Sequence, residues 1–132
     1  MIIDSSALLA ILKGEPEAEA MAQAMETADS LRLSTGSYLE AFAVLDAYRN
    51  PRLSARLEEI VEHPRMTVEA FTAEQAKIAR QAYREYGRGS GHPARLNFGD
   101  CMTYALARIK REPVLFKGED FTHTDLRPAI EL

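Results

Sequence analysis

Apolar positions recur along the chain in two periods. MII at the start, SLRLST (30–35), MTVEAF (66–71) and PVLFKG (113–118) are short runs with strand character, each bounded by turn formers or charges. Between them the spacing changes to helical. SSALLAILKG reads as a first helix closed by Gly14, PEAEAMAQAMETA as a second opened by Pro16, SYLEAFAVLDAY as a third begun by Ser37, and PRLSARLEEIVEH as a fourth begun by Pro51. Thr72 and Gln75 make a capping-box pattern ahead of AEQAKIARQAYREYG, and GDCMTYALARIKRE is the last long helix. LRPAIEL is the candidate for a fifth, weaker strand. Strands alternating with helices predict an α/β fold across residues 1–132, one domain with a mostly parallel sheet of four to five strands flanked by helices. GRGSGHPARLNFG (87–99) breaks the rhythm and reads as a mobile loop or an irregular helix entry.

Composition narrows this picture. The 132 residues are 46% hydrophobic and 27% charged, as in a folded water-soluble domain, and no run approaches the ~18 apolar residues needed to span a bilayer. No membrane partner is expected. Asp4 falls where a secretory leader would need basic and apolar residues, so the N-terminus reads as structural and a cytoplasmic location is expected. Cys101, the single cysteine, excludes an intramolecular disulfide and a multi-cysteine zinc site. The net charge of -4 argues against a partner gripped mainly through phosphates, unless the acids cluster at one site and bound cations neutralise them there.

Such a cluster is expected. Ligands of a parallel α/β sheet collect beyond the carboxyl ends of its strands, where helix N-termini also open. Asp4 follows the first strand, Glu40 lies in the first turn of the helix after the second, Asp100 lies in the first turn of the last long helix, and Asp120 follows the fourth strand. Each has an ordinary alternative: Asp4 as a helix cap, Glu40 in a capping box with Ser37, Asp100 in the favourable field of a helix dipole, Asp120 in a turn. Side-chain direction argues further, because Glu40 shares a stripe with Ala43, Val44 and Ala47, and Asp100 one with Thr103, Tyr104 and Ala107. Acids heading apolar rows would sit at a core rim where desolvation opposes their charge. Lys117 alone cannot balance four carboxylates. A hard divalent cation, Mg²⁺ or its substitute Mn²⁺, can, and it takes oxygen ligands. His63, His92 and His123 lack paired spacing and read as solvated, whereas Ser5 and Ser6 offer hydroxyls next to Asp4.

Carboxylates around divalent ions are the working parts of metal-assisted phosphodiester cleavage. No nucleophile elbow, phosphate-binding glycine loop or dinucleotide fingerprint competes with that reading. At these residues the chain resembles a known family. IIDSSALLAIL, Glu40 within SYLEAFAVL, LNFGDCMTYALA and VLFKGEDF are similar to the PIN-domain nucleases, and most closely to VapC-type toxins of toxin-antitoxin pairs. The resemblance implies a PIN-like fold and a Mg²⁺- or Mn²⁺-dependent endoribonuclease acting on tRNA or rRNA. It also implies a homodimer neutralised by a cognate VapB-type antitoxin. It assigns Asp4, Glu40, Asp100 and Asp120 to the catalytic, metal-holding quartet and Ser6 to the supporting hydroxyl, with Glu119 and Asp125 as alternatives to Asp120. Arg88 and Arg95, with Arg84 upstream, flank the loop before Asp100 and are candidate contacts to RNA phosphates. The rival reading is a non-hydrolytic receiver-like or partner-binding α/β module, to which Lys117 invites comparison.

Overall fold

A computed structural model describes residues 1–131. The elements, in chain order, are β1 (Ile2–Ile3), α1 (Ser5–Leu12), α2 (Ala18–Thr27), β2 (Leu31–Ser34), α3 (Thr35–Asp46), α4 (Pro51–Val61), β3 (Met66–Glu69), α5 (Ala73–Tyr86), α6 (Phe98–Lys110) and β4 (Val114–Leu115), followed by a 3-10 turn at Asp120–His123. The strands run in the order β3-β2-β1-β4, and every pairing is parallel, with Ile2 opposite both Arg32 and Val114 and Leu31 opposite Met66. Among the described residues of LRPAIEL, 126–131, there is no strand; they meet β4 through a bridge between Val114 and Pro128, and Leu132 lies outside the described residues.

Strand periodicity divides the core. Ile3, Leu31, Leu33 and Leu115 point into a cluster built with Leu8, Met21, Leu45 and Leu57 from α1 to α4. Ile2 and Val114 alternate to the other face and meet Tyr104, Leu106, Ala79 and Ala82 from α5 and α6. The two shortest strands, β1 and the edge strand β4, therefore each supply one residue to each core, and full burial holds them despite their length.

α2 opens at Ala18 rather than at Pro16, and the starts of α3 and α5 differ from the sequence reading in position and in capping respectively. α3 begins at Thr35 rather than Ser37, because the Ser34 hydroxyl caps it by accepting from the Gly36 amide at 3.3 Å. Glu40 consequently stands in the second turn. At α5, Thr72 accepts from the Gln75 amide at 3.1 Å, but the Gln75 side chain turns away and donates to the Ala70 carbonyl, so only half of the capping box forms. The 87–99 segment is tied down more than its glycines suggest: Gly87 and Leu96 form a parallel bridge, and the Leu96 amide donates to the Tyr86 carbonyl at 2.9 Å.

Candidate active site

β1 ends at Ile3, and the chain turns straight into α1 through Asp4, whose Oδ2 caps the helix by accepting from the Ser6 amide at 3.0 Å. Its Oδ1 accepts from the Thr103 hydroxyl of α6 at 2.6 Å, and that hydroxyl lies 3.1 Å from the Ser37 hydroxyl of α3. Asp4 is 3% exposed. Burial pushes its carboxyl above the usual carboxylate range, hydrogen bonds from Ser6 and Thr103 oppose that, and the charge of Glu40 adds to it.

Asp100 is held by a reciprocal cap. The Asn97 side chain accepts from the Asp100 amide at 2.8 Å, while Asp100 Oδ2 accepts from the Asn97 amide at 2.9 Å. Burial pushes the Asp100 pKa up to about 7; the Asn97 hydrogen bond restrains the rise, and the charges of Asp4, Asp120 and Glu40 reinforce it. Glu40 accepts a hydrogen bond from the Ser5 hydroxyl and lies against Gly99, where a Cβ would collide with its carboxylate. Asp120 is exposed at the start of the 3-10 turn, which is anchored by buried Phe121 packed 5.1 Å from Phe116.

All four acids line one cleft of about 250 Å³ together with Ser5, Ser6, Asn97, Leu9, Val44 and Lys117. Lys117 is the cleft's basic side chain, yet its ammonium is drawn off to Glu15 and to Glu17 at 3.6 Å. Its backbone amide donates to the Ser6 hydroxyl at 3.0 Å, which ties the end of β4 to the start of α1. The carboxylates thus face each other without an internal counter-charge. No hydrogen bond from the described residues reaches Asp100 Oδ1, Glu40 Oε2 or Asp120. Among the described residues no three acids close a metal shell by themselves. The donor set still suits a hydrated hard cation, which takes one or two carboxylates directly and keeps waters for the rest.

The PIN domain model matches residues 1–126. The chain belongs to the PIN-domain family. Over 131 residues it is 53% identical to Ribonuclease VapC28 of Mycobacterium tuberculosis, covering 99% of this chain and 98% of that protein. Two solved structures share the PIN fold. The Mycobacterium tuberculosis toxin VapC20, described as cleaving the sarcin-ricin loop, has a TM-score of 0.75 at 17% identity over 95% of both chains. A toxin-antitoxin complex from Klebsiella pneumoniae has a TM-score of 0.74 at 16% identity over 99% of this chain and 98% of that one.

Within this PIN domain the remaining sequence candidates separate. Asp120 lines the acidic cleft, whereas Asp125 is engaged by the Tyr104 hydroxyl at 2.7 Å and by Arg108, and Glu119 lines a different hollow beside Glu17 and Thr122. Arg88 and Arg95 are exposed and do not line the cleft. The stripe argument holds for Asp100, since Thr103, Tyr104 and Ala107 are buried. It fails for Glu40: Ala43, Val44 and Ala47 are exposed, and Ser37, Ala41 and Leu45 form the buried side of α3. Burial also pushes the Cys101 thiol up to about 12, aided by the nearby Asp100 charge, so it is no nucleophile. Sequence reasoning missed Thr103 and Asn97 as holders of Asp4 and Asp100. Asn97 three residues before Asp100 is a legible capping spacing, but nothing local signals that Thr103 reaches position 4.

Proposed function

We propose that this PIN-domain chain is a VapC-type endoribonuclease whose acidic cleft holds Mg²⁺ or Mn²⁺. The observation that carries the reading is a cleft bordered by four carboxylates whose one lysine is neutralised elsewhere. Such an ion, when bound, supplies Lewis-acid charge at the scissile phosphate. Asp4, Glu40, Asp100 and Asp120 would hold it between them, directly or through water. Thr103, Ser5 and Asn97 keep the first three side chains oriented. Asp100, whose Oδ1 is free of hydrogen bonds among the described residues, would be open to the ion or to a water bound on it. Ser6 braces the mouth through Lys117. Arg88 and Arg95 reach RNA phosphates outside the cleft.

The ribonuclease relatives support an RNA substrate and the toxin-antitoxin complex of like fold supports an antitoxin partner; tRNA or rRNA as the class, the VapB type of the antitoxin and a homodimer rest on the family resemblance alone. No described helix is long and apolar enough to cross a membrane, in keeping with a cytoplasmic toxin. Incubation of the purified protein with end-labelled tRNA and rRNA fragments tests the reading. Cleavage is expected with Mn²⁺ or Mg²⁺ and not with EDTA, and Asp4→Asn is expected to lower it at least about 100-fold. Cleavage indifferent to chelator, or none across diverse RNAs, would refute it.

A further inference from the structure

Lys117 borders two hollows. It lines the acidic cleft, and with Glu17, Phe116, Thr122 and Ile130 it also lines a neighbouring hollow of about 500 Å³. Its backbone is fixed between them, because the Lys117 amide donates to the Ser6 hydroxyl at 3.0 Å, two residues from Asp4. The side chain is free to face either way, since a flexible four-carbon stem carries its compact point charge. Four carboxylates without an internal counter-charge attract that ammonium from one side. It turns to the other, where it donates to Glu15 and lies 3.6 Å from Glu17 Oε2. The turn that closes α1 presents both glutamates. Gly14 takes a left-handed φ of 64°, the Glu15 amide donates to the Ala10 carbonyl at 3.0 Å, and the Glu15 carbonyl accepts from the Ala18 amide at 2.9 Å. Glu17 Oε2 is shut off from water and accepts no hydrogen bond among the described residues, so the Lys117 ammonium is its compensation there. Movement of Lys117 into the cleft would strand that oxygen.

We infer that Glu15 and Glu17 are positioning residues of the metal site that act through Lys117: by holding its ammonium they keep it from neutralising Asp4, Glu40, Asp100 and Asp120, and so leave the quartet open to a divalent cation. This rests on the metal-dependent reading above. Both glutamates lie outside the cleft, and neither touches the quartet. Without their charges the balance of attraction on Lys117 reverses, and the chain's own lysine competes with the cation for the same carboxylates.

Mn²⁺ binding to the full chain, read as loss of the free-ion electron paramagnetic resonance signal at fixed ionic strength, tests this without RNA. The unaltered chain is compared with Lys117→Met, with Glu15→Gln/Glu17→Gln, and with all three changes together. Glu15→Gln/Glu17→Gln should weaken Mn²⁺ binding. The deciding quantity is the effect of Lys117→Met in each background: it should raise affinity roughly 3- to 10-fold more in the doubly substituted protein than in the unaltered one. A general effect of net charge would raise affinity equally in both, and a lysine that merely supports the loop of Asp120 would lower it in both. Either result overturns the inference. Chelator-sensitive RNA cleavage by the unaltered chain is assayed alongside. Its presence with equal effects of Lys117→Met in the two backgrounds sinks this inference alone, whereas an unaltered chain that neither binds Mn²⁺ nor cleaves RNA sinks the metal-dependent reading and the inference with it.

Discussion

Asp100 keeps its place through Asn97 whether or not it is ionised, so its charge can be separated from its cap. Its carboxyl titrates near 3.8 when free and at about 7 in the fold. Between those values the folded state holds a proton that the unfolded chain has released, and the cation-free protein therefore loses stability as pH rises from about 4 to about 7. Asparagine at 100 would still accept from the Asn97 amide but would carry no charge. Asp100→Asn in EDTA should therefore exceed the unaltered protein in stability at about pH 8 by roughly 4 kcal/mol, read as several degrees in Tm, and come close to it at about pH 4. An equal Tm difference at both pH values would mean that the substitution acts through the cap alone. At this scale the sequence displayed the acids but not their holders: positions 4 and 103, or 5 and 40, are joined by folding and not by any local pattern.

The seam between α3 and α6 determines where Glu40 points. Gly99 is the second residue of α6, and a Cβ there would overlap the Glu40 carboxylate, as a Cβ on Gly36 would overlap the Met102 side chain. A glycine-to-alanine change within a helix ordinarily stabilises by about 0.5–1 kcal/mol. At Gly99 that gain should be offset by the displaced carboxylate. Gly99→Ala is expected to leave Tm within about 1 kcal/mol equivalent of the unaltered protein while lowering RNA cleavage on the order of 100-fold, the cost of misplacing a catalytic group by about 1 Å. Full activity would remove Glu40 from the site. Periodicity made the four strands and the long helices legible, because each has a continuous buried face. It misplaced α3, since a glycine in the first turn hides the helix start at Thr35, and the apolar row Ala43, Val44 and Ala47 imitates a core stripe while facing outward.

Across the molecule, the net charge of -4 conceals a division that composition cannot express. Acids line the cleft at the carboxyl edge of the sheet, while Arg84, Arg88 and Arg95 lie on or just beyond α5 and are all exposed. The order β3-β2-β1-β4 creates this division by bringing positions 4, 100 and 120 to one edge, and long-range strand pairing of that kind leaves no mark in any window of sequence. A polyanion approaching such a surface is repelled by the cleft and attracted by its margin, so binding should depend steeply on salt despite the acidic total. For single strands the logarithm of affinity falls with the logarithm of salt by about 0.7 per neutralised phosphate. If Arg88 and Arg95 each neutralise one, replacing both with alanine in Asp100→Asn protein should reduce that slope by about 1.4 and weaken binding to all single strands alike. Fluorescence anisotropy titrations at several salt concentrations measure it. A slope equal to that of the parent would place both arginines off the RNA path, whatever the cleft itself cleaves.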